Sequence, residues 1–538
     1  MTDIYQQLVQ AGIISEERIL HSEQATSAYG KTTFSQPIHL DAAVKVVNSN
    51  EVSKLIKLAN TLSFHLYPVS SSKNWGYGSV SDFATDNPKV VLDLSLMNQI
   101  YPTDKELGLI TIEPGVTQQQ LYDYLEQHHW SYMTPVTGAG PNCSIVANAL
   151  ERGYGITPRT DHFEAVTALK AVLPHPELCE QQYHSPISSL DHSDTDFIDK
   201  TYKWKLGPYL DGLMTQSNLG VVTQMTIRLG RKPKAFTAFY LRCFDEDNFA
   251  PLTQGIRDIL RDLEGIVGSI NLMDKRRLVS MVADNPNGTA HQVMTDQQVN
   301  TLARQNNVPN WLIVGSVYGE PGVVKAAKKV IRSRLKGLGQ LLYSDSLLLN
   351  IARQVTDRVS IGPLKDIKKQ LSSLELGMQI MLGQPNQVAL PLAYWRTGKV
   401  EPGKSLLPDQ DGCGLLWYAP LIPMHSDKMR AFVEFIRTTT PQFGIEPLIT
   451  FTNLKHDCVD STIPIVFNLK DSESREQAHQ CLSTLVEEGL KQGFVPYRMN
   501  IHQQQKLLTK TQQHWQTVDK IKQALDPNNV LSPGRYNP

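Results

Sequence analysis

The segment PVSSSKNWGYGSV, residues 68–80, places hydroxyl, amine and amide side chains among glycines, between two apolar stretches. Glycine lets backbone N–H groups approach an anion closely, and serine hydroxyls and a lysine add further donors. The same composition is also typical of an ordinary surface turn. The segment alone therefore leaves two interpretations open, a phosphate-binding loop and an exposed turn.

A second stretch with many glycines and prolines, TPVTGAGPNCSIVANALERGYGITPRTDHF, covers residues 134–163. Within it SIVANALERG has the pattern of a short helix, and Ser144 stands at the position of its N-cap. A serine at that position accepts a hydrogen bond from a free backbone N–H of the first turn. The stretch therefore predicts a short helix held between polar, backbone-rich loops.

The overall composition favours a small molecule as the binding partner. Lysine and arginine total 52 against 53 acidic residues, so a net charge of −1 gives no electrostatic reason to expect nucleic acid or an anionic membrane. The 6 cysteines are scattered without a CxxC pair or a Cys/His cluster, so we expect neither a disulfide framework nor a metal site. A chain of 538 residues is long enough for at least two folding units.

The amino-terminal segment MTDIYQQLVQAGIISEERIL is polar and helical in pattern, without the basic start and apolar centre of a secretion signal. The sequence has no uncharged apolar run of the roughly 18 residues that a membrane-spanning helix requires. We therefore expect no membrane helix and a cytoplasmic location.

The elements that must position these segments alternate between helix and strand. EVSKLIKLANTLS and QQQLYDYLEQHH have apolar residues at helical spacing, whereas VVLDLS, LGLITIEPG and VVTQMTIRL have strand patterns ended by turn residues or charge. Between about 236 and 490, strands such as TAFYLRCF and NWLIVGSVYG lie among amphipathic helices. These patterns predict an α+β protein.

Six of these motifs occur together in one order: YPVSSSKNWGYGS, IEPGVT, NALERGYGITPRTDHF, DGLMTQSNLGVVT, LAYWRTG and DPNNVLSPGR. In this order the chain, from about residue 40 to its end, resembles the flavoproteins of the vanillyl-alcohol oxidase and p-cresol methylhydroxylase family. The resemblance implies an FAD-binding domain of two α+β subdomains with an inserted α+β cap domain. The expected units are an N-terminal helical segment 1–37, an FAD-binding domain 38–235, a cap domain 236–494, and a segment 495–538 that completes the FAD-binding domain.

The resemblance also assigns FAD to named residues, and it favours the phosphate-binding interpretation of residues 68–80. Buried diphosphate without such donors would be a costly unpaired charge. The expected FAD-binding residues are Val69, Ser70, Ser71, Ser72, Lys73, Asn74, Gly76, Tyr77, Gly78, Ser79, Pro135, Thr137, Gly138, Ser144, Asn148, Gly153, Tyr154, Gly155, Gly220, Val221, Val222 and Arg535.

The family's phenol-oxidising members hold their substrate as a phenolate, and their two tyrosines and one arginine match Tyr77, Tyr497 and Arg498. An arginine is suited to this role because it is always charged and forks onto an oxyanion. The alternative is that Tyr77 only packs against the flavin and Arg498 forms a structural ion pair.

Other family positions are replaced in this chain. The acid that acts on the oxidised intermediate falls on Ala139, and a pair of histidines falls on Asp460 and Ser461. A buried carboxylate with a raised pKa could supply the missing base, so Asp460 is a further catalytic candidate, with capping of a turn as its alternative. The histidine that tethers FAD falls on Leu415, which predicts noncovalent FAD, with Cys413 and His65 as weaker tether candidates.

These expectations define an FAD-dependent oxidase or dehydrogenase that moves a hydride from a small phenolic or otherwise anionic substrate to flavin N5. One alternative is dehydrogenation or oxidative cyclisation of a non-phenolic substrate, with Arg498 on a carboxylate. Another is a flavin-binding subunit that works only with a separate cytochrome. We expect oxygen or an electron-acceptor protein to reoxidise the flavin, and the resemblance implies a homodimer.

Overall fold

A computed structural model describes residues 3–82, 85–186, 197–344, 364–397, 403–508 and 511–537. The described residues form four β-sheets with helices packed around them. The α+β class predicted from the sequence is confirmed.

The first sheet has the strand order Ile19–His21, Ala42–Lys45, Lys89–Asp93, His65–Val69. Its last three strands are parallel, and the helix Ser49–Leu62 makes the crossover between two of them. These three strands are almost fully buried, as expected for parallel strands with covered faces. The N-terminal segment was expected to be helical, but it also supplies the strand Ile19–His21, which pairs antiparallel with Ala42–Lys45.

The second sheet is antiparallel and has the order Ile100–Asp104, Leu109–Ile112, Val221–Arg228, Val166–Val172, Gln182–His184. The helices Gln118–Gln127 and Ile145–Leu150 pack against it through a shared apolar core. Ser144 is the N-cap that the sequence predicts, since its Oγ accepts a hydrogen bond from the backbone N–H of Ala147 at 3.1 Å.

A small sheet pairs Tyr132–Met133 with Gly230–Arg231. The largest sheet is antiparallel and contains the described strands of the region that is predicted to form the cap domain, and we call it the cap sheet. Its strand order is Gln340–Ser344, Ala235–Cys243, Trp311–Gly319, Ile270–Asp274, Thr450–Asn453, Cys458–Phe467, Gly414–Pro423, Val495–Arg498. Because Val495–Arg498 pairs with Gly414–Pro423, the cap sheet extends past the expected boundary at residue 494.

The described α-helices and 3₁₀ turns cover the outer surfaces of these sheets. The α-helices are Ile4–Ala11, Ser22–Tyr29, Ser49–Leu62, Gln118–Gln127, Ile145–Leu150, Phe197–Thr201, Phe249–Asp262, Lys275–Val282, Asp296–Gln305, Pro321–Arg334, Leu364–Met381, Ser426–Thr439, Ser472–Lys491, Ile501–Leu507 and Gln513–Leu525. The 3₁₀ turns are Glu16–Arg18, Asp211–Met214, Glu246–Asn248, Leu390–Tyr394 and Thr440–Phe443.

The C-terminal tail returns to the first sheet. The backbone N–H of Leu66 donates to the carbonyl of Val530 at 2.8 Å, and Ser532 donates back to the carbonyl of Leu66 at 2.9 Å. Inside the tail, the carboxylate of Asp526 accepts a hydrogen bond from Lys522 and from two backbone N–H groups. This buried network fixes the tail, and with it Arg535, near the loop 70–79.

Candidate active site

The loop 70–79 begins where the buried strand His65–Val69 ends, and it borders a cavity of about 390 Å³. Ser71 is held in place because its Oγ accepts a hydrogen bond from the backbone N–H of Ser144 at 3.1 Å. Ser72 has a φ of 55°, in the left-handed region that non-glycine residues seldom occupy. The loop therefore holds a fixed, irregular path along the cavity.

Most of the predicted FAD residues line this cavity. They are Val69, Ser70, Ser71, Ser72, Lys73, Asn74, Tyr77, Ser79, Gly138, Ser144, Asn148, Gly220, Val221, Val222 and Arg535. Apolar residues, among them Val146, Leu150, Leu415 and Trp417, complete the wall. The cavity thus combines hydroxyl and amine groups with apolar surface.

Seven other predicted FAD residues are not among those that line the cavity: Gly76, Gly78, Pro135, Thr137, Gly153, Tyr154 and Gly155. For two of these positions the structure gives a reason other than phosphate contact why glycine is required. Gly78 has a φ of 85°, and a Cβ there would lie 2.8 Å from the ring of Phe34. Gly76 has a φ of 79° and is packed against the indole of Trp417. Both glycines serve the turn and the packing around it.

Tyr77 lies beside Tyr497 and Arg498 although more than 400 residues separate it from this adjacent pair in the sequence. The backbone carbonyl of Tyr77 accepts a hydrogen bond from the N–H of Ile501 at 2.9 Å, which ties the loop to the chain after the last cap strand. The guanidinium of Arg498 lies 4.2 Å from the centre of the Tyr77 ring. Its Nη2 donates to Oδ1 of Asn74 at 2.6 Å.

Burial raises the pKa of both Tyr77 and Tyr497, and the positive charge of Arg498 acts in the opposite direction on each. Both phenol groups therefore stay protonated near neutral pH and are available as hydrogen-bond donors. Two donors beside a fixed cation form a site that suits an oxyanion.

Asp460 lies in the strand Cys458–Phe467, and its side chain is buried. Among the described residues, no donor meets hydrogen-bond geometry at either carboxylate oxygen, although the Tyr154 hydroxyl lies close enough to act on the carboxylate. Burial raises the pKa of Asp460 to about 7, and the hydroxyl of Tyr154 partly offsets this. The charge of Asp460 also raises the pKa of Tyr77 and Tyr497, so the carboxyl group belongs to the same cluster.

Tyr154 was predicted to bind FAD, and the structure places it within this cluster. Its hydroxyl lies 3.1 Å from Oγ1 of Thr462, which follows Asp460 by two residues on the same face of the strand. Its ring centre is 6.1 Å from that of Tyr497. Three tyrosine hydroxyls therefore surround one region of the site, with a carboxyl group on one side and a guanidinium on another.

Glu151 is a site residue that the sequence reasoning missed. Its carboxylate lies 3.3 Å from Nε of Arg498, accepts a hydrogen bond from Arg535 Nη2 at 2.7 Å, and accepts another from the Tyr536 hydroxyl at 2.5 Å. Burial alone would raise the pKa of Glu151, but the two arginines lower it. One carboxylate between two arginines leaves a surplus positive charge beside the cavity. The only signal in the sequence was that Glu151 directly precedes the motif RGYG, and an acid at that position could equally have a purely structural role.

The positions that differ from the family also lie at the cavity. Leu415, at the expected tether position, and Ala139, at the position of the replaced acid, both line it. Cys413 is buried and contacts Thr397, while His65 contacts Thr85, and neither residue is among those that line the cavity. Cys143 does line it, and burial raises the pKa of this thiol, which keeps it a poor nucleophile.

Known proteins with sequences similar to this chain include a family of FAD-binding domains and a flavoprotein subunit. Residues 40–180 match a family model described as "FAD binding domain". The chain is 29% identical over 530 residues to 1'-carboxy-chondrochloren decarboxylase of Chondromyces crocatus, covering 98% of this chain and 95% of that protein. It is 26% identical over 509 residues to the 4-cresol dehydrogenase [hydroxylating] flavoprotein subunit of Pseudomonas putida, covering 92% and 87%. The predicted resemblance is confirmed.

Solved structures agree on the fold. The crystal structure of p-cresol methylhydroxylase with substrate bound superimposes with a TM-score of 0.84 at 23% identity, covering 100% of this chain and 97% of that one. A 4-ethylphenol oxidase from Gulosibacter chungangensis superimposes with a TM-score of 0.83 at 19% identity, covering 99% and 96%. These two structures show that the chain has the fold of the p-cresol methylhydroxylase flavoprotein. The matched FAD-binding domain and the two sequence relatives show that it is an FAD-dependent oxidoreductase.

The residues present fit FAD. Serine hydroxyls and Lys73 on the loop 70–79 offer hydrogen-bond donors to a diphosphate. Val146, Leu150 and Leu415 offer apolar contact to a flavin ring. The Nε atom of Arg535 is buried without a hydrogen-bond partner among the described residues, and its guanidinium group borders the same cavity. Arg498 borders the cavity too, with its Nε at ion-pair distance from Glu151. A buried donor without a partner beside a cavity is expected where a polar ligand binds.

In the part of the chain that the structure describes, no helix combines the length and apolar character that crossing a bilayer demands. Within the same residues, no group of three or more histidine, cysteine, aspartate or glutamate side chains is arranged to hold a metal ion.

Proposed function

We propose that this oxidoreductase removes a hydride from the benzylic carbon of a 4-alkylphenol and transfers it to N5 of FAD. The single observation that carries the proposal is the cluster of Tyr77, Tyr497 and Arg498 beside the cavity, in which Tyr77 is buried and the other two are half-buried. A 26% identical relative that is named for 4-cresol supports a phenolic substrate. Bound FAD supplies the two-electron acceptor, and the protein must supply the rest.

In this proposal Arg498 and the two tyrosines bind the substrate oxygen and stabilise it as an anion. A phenolate donates electron density to the carbon para to it, which makes hydride loss from that position easier. Preorganised donors act most strongly in a site from which water is excluded. The buried tyrosines remain protonated, so they donate to the phenolate and do not compete with it for the positive charge.

Asp460 would accept the proton that the substrate hydroxyl loses, with the hydroxyls of Tyr497 and Tyr154 as the path. A base with a pKa of about 7 is well matched to proton transfer near neutral pH. Because the position of the family's acid is occupied by Ala139, Asp460 is the buried carboxyl group best placed for this role. Glu151 is a poor candidate because two arginines hold it ionised.

The test is anaerobic reduction of the bound flavin, which is measured as the loss of its visible absorbance. Addition of 4-ethylphenol should bleach the flavin, whereas 3-ethylphenol should not, because its hydroxyl is not conjugated with the benzylic carbon. The methyl ether of 4-ethylphenol is the second control, because it cannot form a phenolate. Equal reduction by the phenol and its ether would rule out the oxyanion mechanism.

A second candidate function is oxidative decarboxylation, and it has its own support. A relative of 29% identity along almost the full length of both chains is named as a decarboxylase. For a phenol with a carboxylate one carbon beyond the benzylic position, hydride loss would give an oxidised intermediate. Cleavage of the bond to the carboxylate would then release CO₂, and its electron pair would form the new carbon–carbon double bond. N-acetyltyrosine is a suitable probe, and release of CO₂ during flavin reduction would distinguish this reaction from simple dehydrogenation.

The electron acceptor is a separate part of the proposal. One relative is named a flavoprotein subunit, which favours an electron-acceptor protein over oxygen. Mixing the reduced enzyme with air-saturated buffer tests this directly. Slow reoxidation, on a scale of minutes, supports a protein acceptor, and reoxidation within turnover time identifies an oxidase.

A further inference from the structure

Arg277 borders the same cavity as Arg498, but it comes from the cap domain. It lies in the first turn of the helix Lys275–Val282, where its backbone N–H donates to the N-cap Asp274 at 3.0 Å. The short turn Leu390–Tyr394 packs against this helix and also contributes apolar residues to the cavity wall. Arg277 and the apolar residues of this turn therefore border the same cavity.

The side chain of Arg277 lacks a carboxylate partner within 4 Å among the described residues. Its Nη1 donates to Oγ of Ser280 at 3.2 Å, on the same helix. The neighbouring Arg276 shows the contrast, because it forms ion pairs with Asp296 at 2.7 Å and with Glu446. Of the two arginines, the one beside the cavity is the one without an acidic partner.

Asp274 does not satisfy this charge. Its Oδ1 accepts the backbone N–H groups of Arg277 and Ile449, both at 3.0 Å, and its Oδ2 has no partner among the described residues. Burial lowers the pKa of Arg277 to about 10, against the opposing charge of Asp274. Arg277 is half-buried, and a partly buried cation without an acidic partner is destabilised, so a ligand anion would offset that cost.

We propose that Arg277 binds a carboxylate of the substrate, at a distance from the carbon that is oxidised. This inference rests on the proposed function, because it places the phenol oxygen at Arg498 and the second anionic group at Arg277. A single guanidinium matches the geometry and charge of one carboxylate. The enzyme would then select phenols whose para side chain ends in a carboxylate over neutral phenols of the same shape.

The test compares 3-(4-hydroxyphenyl)propanoate with its methyl ester, in the wild-type holoenzyme and in Arg277→Met. Binding is followed by the change in flavin absorbance on titration, and turnover by anaerobic flavin reduction. The wild type should bind the carboxylate at least about 10-fold more tightly than the ester, in the range expected for a charge-assisted pair. Arg277→Met should lose this preference, so that it binds the carboxylate no more tightly than the ester.

Arg277→Lys keeps the charge and guards against a loss that reflects misfolding, and it should retain part of the preference. A wild-type enzyme that binds both compounds with equal affinity and reduces its flavin with both would overturn the role of Arg277 and leave the proposed function standing. Tighter binding of the carboxylate without any flavin reduction would instead support Arg277 and count against phenol oxidation. An unchanged preference in a folded Arg277→Met would also overturn this inference.

Discussion

The carboxylate of Glu151 lies 3.3 Å from Nε of Arg498, at ion-pair distance but without the geometry of a hydrogen bond at that nitrogen. The same carboxylate accepts a hydrogen bond from Arg535. Burial alone would lower the pKa of Arg498, but the charge of Glu151 raises it. One acid therefore holds two arginines beside the cavity, and it leaves the outer nitrogens of Arg498 available to Asn74 and to a substrate anion.

Glu151→Gln should lower the free energy of unfolding by about 3 kcal/mol or more, because it leaves two buried cations without their shared counter-ion. Urea unfolding of the holoenzyme measures this. Glu126→Gln is the matched control, since Glu126 pairs with Lys232 at the surface, where an ion pair contributes little. Equal losses in the two variants would show that Glu151 does not have this special role.

The rate of flavin reduction should rise with pH through about 7, because Asp460 must be ionised to accept a proton and its pKa is about 7. Asp460→Asn should reduce its flavin more slowly and without this rise, while substrate affinity stays largely unchanged. Stopped-flow reduction at saturating substrate, between about pH 5.5 and about pH 8.5, provides the measurement. A variant with the wild-type pH profile would remove Asp460 from the proton path.

The raised pKa of Asp460 also predicts how the free energy of unfolding depends on pH. The pKa of about 7 in the folded protein is above the ordinary aspartate pKa of 3.8, so between these pH values the folded protein binds more protons than the unfolded chain. The free energy of unfolding contributed by this group therefore falls as the pH rises through that window. Asp460→Asn should remove this contribution, so its stability relative to wild type should increase from acid to neutral pH. A constant difference across the window would show that Asp460 titrates normally.

The FAD should be released by acid precipitation, because Leu415 occupies the expected tether position and the thiol of Cys143 is held protonated by burial. Yellow colour in the supernatant and a colourless pellet are the expected result. Fluorescent flavin that stays with the denatured polypeptide on a gel would show a covalent bond, and peptide mapping would then locate it.

Much of the fold and part of the site followed from the sequence, for identifiable physical reasons. The helix Ser49–Leu62 and the strands around it have strong apolar periodicity, and Ser144 is a strong capping residue, so local pattern was sufficient for them. Tyr77 and Arg498 could be placed together only through the family resemblance, because no local signal links residues so far apart. Their convergence depends on the hydrogen bond between Tyr77 and Ile501.

Other features depend on tertiary contacts that the sequence does not display. Glu151 and Arg277 look like ordinary surface charges in a helical pattern, and only the structure shows one between two arginines and the other beside a cavity. The strand Val495–Arg498 is short, and its pairing partner is fixed by the cap sheet. For Gly78 the need for glycine was predicted, but its cause is the ring of Phe34 and a positive φ.

The central claim is that Arg498 and the two tyrosines stabilise a substrate oxyanion while a hydride leaves. The most direct measurement is the anaerobic rate of flavin reduction by 4-ethylphenol in wild type, Arg498→Ala and Tyr497→Phe, each with its FAD content determined. Arg498→Ala should retain FAD and be slower by roughly 10²-fold or more, the scale found when one preorganised donor is removed, and Tyr497→Phe should also be slower. Wild-type rates in both FAD-loaded variants would contradict the account.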